Sequence, residues 1–239
     1  MRSDSNALKD LRHSLERLKG NLHVLETNVP VERQMEYFRF TEALRNYKFT
    51  EEGLLEGQME VLTLPESSSD EIRYALAYLA ISGDVKAYRA IEAYHKLHPS
   101  EWASLALMQA KIMLESEFSD EKQVFISTGL GGKDNQLRFY AFFKSNMRKN
   151  FSDYQKQLIE KEITFSIQKH QGELEKIYIG NNYFTVIFLI HIQVDIKNML
   201  EEAIAECNQF GDFINKGFII TNVKVFSEEE IQYELMRRE

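Results

Sequence analysis

Residues Lys176–Ile192 read KIYIGNNYFTVIFLIHI, and the reading of this run decides the fold. Two segments rich in β-branched and aromatic residues, Lys176 to Ile179 and Tyr183 to Ile192, flank Gly180-Asn181-Asn182, residue types that tolerate the positive φ of a tight hairpin. The second segment is about ten residues, well short of the ~20 that a membrane-spanning helix requires, so it reads as a buried strand. Before the hairpin, Ser152 or Asp153 caps a helix to about His170 that carries Leu158, Ile159, Ile163 and Ile167, with Glu162 placed awkwardly on the apolar side. After it, Asp195 caps a helix whose apolar positions Ile196, Met199, Leu200, Ala203, Ile204 and Cys207 keep a 3.6-residue period, and Gly211 ends it. Phe218 to Phe226 then reads as a strand, and Ser227 with Glu230 makes a capping box for a terminal helix.

Upstream, Val124 to Thr128 and Gln136 to Lys144 read as two further strands joined by a glycine-rich turn over Gly129 to Asn135. Strands and helices from Gln136 to Phe226 therefore follow the order β-α-β-β-α-β, which resembles the split-βαβ order of the ferredoxin-like plait. That resemblance implies two helices covering one face of an antiparallel sheet, with the strand at Val124 to Thr128 extending one edge. It implies no function, because the plait is shared by many unrelated activities.

Before residue 117 the readable periodicity is helical, with Phe49 to Leu64 a short helix plus loop, so the expected fold is α+β in class, with an all-α N-terminal half over 1–118 and the plait over 119–239. Leu8, Leu11, Leu15, Leu18, Leu22 and Leu25 alternate three and four apart and mark a narrow apolar seam, interrupted by Gly20. The seam suits either packing onto the next helix of the same chain or an intermolecular coiled coil. Asn28 and Pro30 open a second helix to about Tyr47, closing an N-terminal arm over 1–48. From 66 to 116 three helices follow, begun by the Ser67–Asp70 cluster, by Asp84 and by Pro99. Their spacing is similar to that of HEAT-like units, which offer a surface to partners, and equally to that of an ordinary helical bundle.

The most site-like run is Ser127-Thr128-Gly129-Leu130-Gly131-Gly132-Lys133-Asp134. Ser127, Thr128, Gly129, Gly131, Gly132 and Lys133 supply hydroxyls, backbone N–H groups and a cation, the chemistry that contacts a phosphate, a carboxylate or a partner. The glycine spacing is not that of a P-loop and the run joins strands, so a plain hairpin turn is the competing reading. Lys176–Asn181 resembles the second RNP motif of RNA-recognition domains, and Lys216-Gly217-Phe218 the start of the first, but the strand order is wrong for that family. His95 and His98 lack a third ligand and suit a helix C-terminus, His191 ends an apolar strand, and Cys207 lies on a buried helix face. No metal or cofactor is expected, and no motif commits the chain to catalysis.

The net charge of −8 argues against a duplex nucleic-acid partner, whose binding is driven by phosphate neutralisation with Lys and Arg. The single cysteine, the polar stretch after Met1 and the lack of a membrane-length apolar run make the cytoplasm the expected location. The expected role is non-catalytic: a protein-interaction or scaffold protein, with a protein partner or a homo-oligomer. The alternatives are an ACT-like sensor of an anionic metabolite and, less favoured, RNA binding through the sheet.

Overall fold

The computed structural model describes residues 22–46, 54–118 and 124–237. The chain forms two compact units that divide between Ser127 and Thr128. It is α+β, with eight helices among the described residues, mostly N-terminal, and an antiparallel sheet.

The first unit contains β1 (Leu22–Val24), helices α1 (Val31–Asn46), α2 (Leu54–Val61), α3 (Ser69–Ala80), α4 (Val85–Leu97) and α5 (Glu101–Phe118), and β2 (Val124–Ile126). Ser68 starts α3 with a reciprocal capping box, its hydroxyl accepting from the Glu71 backbone N–H while the Glu71 carboxylate accepts from the Ser68 N–H. Asp84 starts α4 by accepting from the N–H groups of Lys86 and Ala87. Tyr37, Leu76, Leu79, Ile91 and Leu105 are the large, fully buried side chains of its core. Trp102 packs edge-on against Tyr37 at 5.0 Å and donates its indole N–H to the Arg73 carbonyl. Burial raises the pKa of Tyr37 well above the usual tyrosine range, and its hydroxyl donates to Gln109 Oε1 at 2.6 Å.

Two expectations are corrected here. The leucine seam was expected to be helical as far as Leu25; its part before residue 22 lies outside the described residues, but Leu22–Val24 is a strand and Leu25 is buried in the helical unit's core. Val124–Ile126 is a strand as expected, yet it pairs in parallel with β1, Leu22 opposite Val124 and Val24 opposite Ile126, and does not extend the plait. The backbone N–H of Leu25 continues that ladder to the Ile126 carbonyl.

The second unit comprises β3 (Gly132–Lys133), β4 (Gln136–Ser145), α6 (Asp153–Lys169), β5 (Glu173–Ile179), β6 (Tyr183–His191), α7 (Ile196–Asn208), β7 (Ile214–Thr221) and α8 (Glu228–Met236). β7 pairs with β4, β4 with β6 and β6 with β5, all antiparallel, which is the plait order expected from the sequence. β3 lies on the same edge of β4 as β7 and forms a hairpin with it through Asp134 and Asn135, both at positive φ (47° and 64°). The inner face of the sheet, with Phe143 stacked on Phe184 at 4.4 Å, packs against Ile159, Ile163 and Ile167 of α6 and Met199, Leu200 and Ile204 of α7. The plait resemblance implied helices on one face of the sheet only. Instead Tyr140, Phe142, Tyr183, Ile187 and Ile219 are covered by Leu130, Phe226 and the α8 residues Ile231 and Leu235. Among the described residues no helix is long and apolar enough to cross a membrane.

Candidate functional site

The loop selected from the sequence divides its residues between the units. Ser127 belongs to the helical unit, where its hydroxyl donates to the Gln34 amide oxygen, and the plait begins at Thr128. From Thr128 to Lys133 the polar groups are largely engaged within the fold. The Gly131 N–H donates to the Thr128 carbonyl and the Thr128 hydroxyl to the Gly131 carbonyl; the Leu130 N–H donates to Asn222 and the Leu130 carbonyl accepts from Arg138. A Cβ on Gly129 would sit 1.8 Å from the Val223 carbonyl oxygen, so glycine is required there for close backbone packing. Lys133 pairs with Glu173 at 3.1 Å, and that hydrogen-bonded charge pair raises its pKa.

The other residues singled out from the sequence are separated. His95 Nε2 lies 2.9 Å from the Ser104 hydroxyl, and His191 is exposed at the end of β6. No group of three metal-ligating side chains exists among the described residues. Cys207 is fully buried under α6, and burial pushes its thiol up to about 12, which leaves it protonated and unreactive at neutral pH.

A second arrangement of polar groups lies at the far end of β4. There the strand turns sharply through Asn146–Arg148, with Met147 and Arg148 both in the left-handed region (φ 53° and 56°). Two successive left-handed non-glycine residues cost about 1–2 kcal/mol each, and such strain persists only where neighbours enforce it. The enforcing bonds run from the Ser145 N–H to the Asn182 carbonyl (2.8 Å), the Asn146 N–H to the Phe213 carbonyl (2.8 Å) and the Phe151 N–H to the Asn181 carbonyl (2.6 Å). The Gly180-Asn181-Asn182 hairpin therefore serves as an acceptor for the β4 end, and none of its residues takes the positive φ expected of it.

Two cavities open at this turn and share Arg148, Asn182 and Leu235. The first, of 310 Å³, is lined by Lys144, Ser145, Asn146, Asn215 and Arg237. The second, of 500 Å³, is lined by Tyr178, Asn181, Tyr183 and Gln232. None of the described residues lining either one is acidic. Ser145 is 3% exposed and its hydroxyl has no hydrogen-bond partner among the described residues, although buried polar groups are normally satisfied. Arg148 Nη2 donates to the Met236 carbonyl at 3.0 Å, so the C-terminal end of α8 forms one wall. Sequence reading passed over Ser145–Arg148 because its residues are individually ordinary; the strand-end geometry alone assembles them.

On the helical layer, Tyr154, Phe165 and the Phe210 that follows α7 are 59%, 61% and 61% exposed. Tyr154 and Phe210 meet edge to face at 6.4 Å. Phe165 stands eleven residues after Tyr154, about three turns along the same stripe of α6.

No protein-family model matches the chain, and no curated protein matches it. Among solved structures, it is similar to a REP-associated tyrosine transposase bound to a REP hairpin, at 10% sequence identity and a TM-score of 0.33, over 48% of this chain and 67% of that one. At that score the likeness carries no functional argument.

Proposed function

We propose that the chain is a non-catalytic protein-interaction protein that associates with a second copy of itself through the outer surface of α6 and α7. The observation behind this reading is the exposure of Tyr154, Phe165 and Phe210 on one helical layer. Large aromatic side chains left in water along a stripe are the usual mark of a contact surface. Exposed aromatic rings on α6 and at the end of the adjacent α7 suit a two-fold arrangement, in which the same patch meets itself. Light scattering coupled to size-exclusion chromatography tests it. The full chain is expected to show a mass above that of the monomer at high micromolar concentration, and Phe165→Ser with Phe210→Ser to return it to the monomer with an unchanged melting temperature. A monomeric wild type under those conditions would overturn the reading.

A further inference from the structure

We propose that the joined cavities at the end of β4 form a binding site for a free nucleoside phosphate, with the phosphate between Arg148 and Arg237 and the base against Tyr178. The phosphate end follows from its donors. Arg148 commits one guanidinium nitrogen, Nη2, to Met236, and among the described residues Arg237 makes a 3.6 Å contact with Glu234 through Nη1, so both carry further N–H groups of the geometry that matches a tetrahedral oxyanion. Lys144, Asn146 and Asn215 line the same cavity and add polar groups to it. Two guanidinium groups lining one cavity, with no acidic side chain among the described lining residues, suit an anion.

The base end follows from the second cavity. The Tyr178 ring is 52% exposed and lies 5.7 Å from that of Tyr183, tilted by 43°, which leaves an aromatic surface open beside the cationic end. Base–aromatic stacking uses such a surface whatever the base. Asn181 and Gln232 line the same cavity and carry both donors and acceptors for the edges of a heterocycle. A 500 Å³ space is within the range of small-molecule sites and takes a base with its sugar. The net charge of −8 opposes a polyanion and favours the mononucleotide over a nucleic-acid strand that presents the same group at its end.

The test is isothermal titration of the full chain with the common nucleoside 5′-monophosphates, with inorganic phosphate and with a short 5′-phosphorylated RNA oligonucleotide. At least one monophosphate is expected to bind about tenfold more tightly than inorganic phosphate, the difference being the stacked base. Arg237→Gln is expected to weaken both the monophosphate and inorganic phosphate, the former by about tenfold, through loss of its charged hydrogen bonds. Tyr178→Leu should weaken the monophosphate alone. Both positions are exposed, and unchanged melting temperatures will show that the variants fold. Three results overturn the proposal: no monophosphate binding; a Tyr178→Leu variant that binds the monophosphate as tightly as wild type; or an oligonucleotide that binds about tenfold more tightly than any monophosphate, which would assign the site to a strand.

Discussion

Tyr140 shows what the covering of the outer sheet face demands of one side chain. It is 1% exposed beneath Phe226 and the α8 residues, and its hydroxyl makes no hydrogen bond among the described residues. Burial, with the nearby Tyr183 and Glu230, pushes its pKa up to about 12, and the Thr185 hydroxyl pulls it back only slightly. The Thr185 hydroxyl lies nearby, but the pair falls short of hydrogen-bond geometry. Because the folded pKa lies above the unfolded value of about 10, the folded state favours the neutral phenol. The stability this contributes is fully present below about pH 10 and is lost as the pH rises toward 12. Tyr140→Phe is expected to stabilise the protein at neutral pH by about 1 kcal/mol, since an unsatisfied buried group is removed. It should also flatten the alkaline decline. Chemical denaturation followed by far-UV circular dichroism at neutral and alkaline pH checks both; a destabilised variant would mean that the hydroxyl is hydrogen-bonded in the folded protein.

At the scale of elements, α8 depends on its cap. Ser227 and Glu230 form a reciprocal capping box, and Glu230 also pairs with Lys224. The hydrogen bond from Lys224, followed by the one from the Ser227 N–H, lowers the pKa of Glu230. A lowered folded pKa means that the contribution is present above the unfolded value of about 4.3 and is lost as the pH falls through the folded one. Amide exchange across Glu228–Met236 should therefore accelerate, relative to β4 and β6, as the solution is acidified below about pH 4. Glu230→Gln keeps a cap acceptor and removes the titration, so its relative protection should not change over that interval. A step of equal size in the variant would place its cause elsewhere. The cap itself was legible in the sequence, as were Asp84 and Asp195, while Ser68 was read only as one of the Ser67–Asp70 cluster and Ser152 as an alternative to Asp153; capping is local chemistry between residues three or fewer positions apart. The placement of α8 over Tyr140 and Phe142 was not, since a nine-residue helix has too few apolar positions to announce which surface it covers. The β4-end cavities were equally hidden, because Ser145, Arg148, Tyr178 and Arg237 are distant in the chain and meet only once the sheet is assembled.

For the whole molecule, strand periodicity was readable from Gln123 onward, but which sheet that strand joins is a long-range fact. The change of period put the boundary between 118 and 119, whereas the two units divide at Ser127 and Thr128 because β2 pairs with β1 about a hundred residues earlier. The consequence is measurable with two fragments of the helical unit, one ending at Ser127 and one at Phe118. The longer keeps the parallel β1–β2 ladder, the Leu25 to Ile126 bond and the hydroxyl of Ser127 on buried Gln34. The shorter loses all three and leaves β1 without a partner strand. A few buried hydrogen bonds at about 1 kcal/mol each make the shorter fragment less stable by about 2–3 kcal/mol, which is a large share of what holds a small helical domain together. Thermal melts followed by the fluorescence of the single tryptophan, Trp102, read the difference directly, because its ring lies in the core of this unit. Equal melting temperatures would show that β2 adds nothing to the helical core and would return the working boundary to the end of α5.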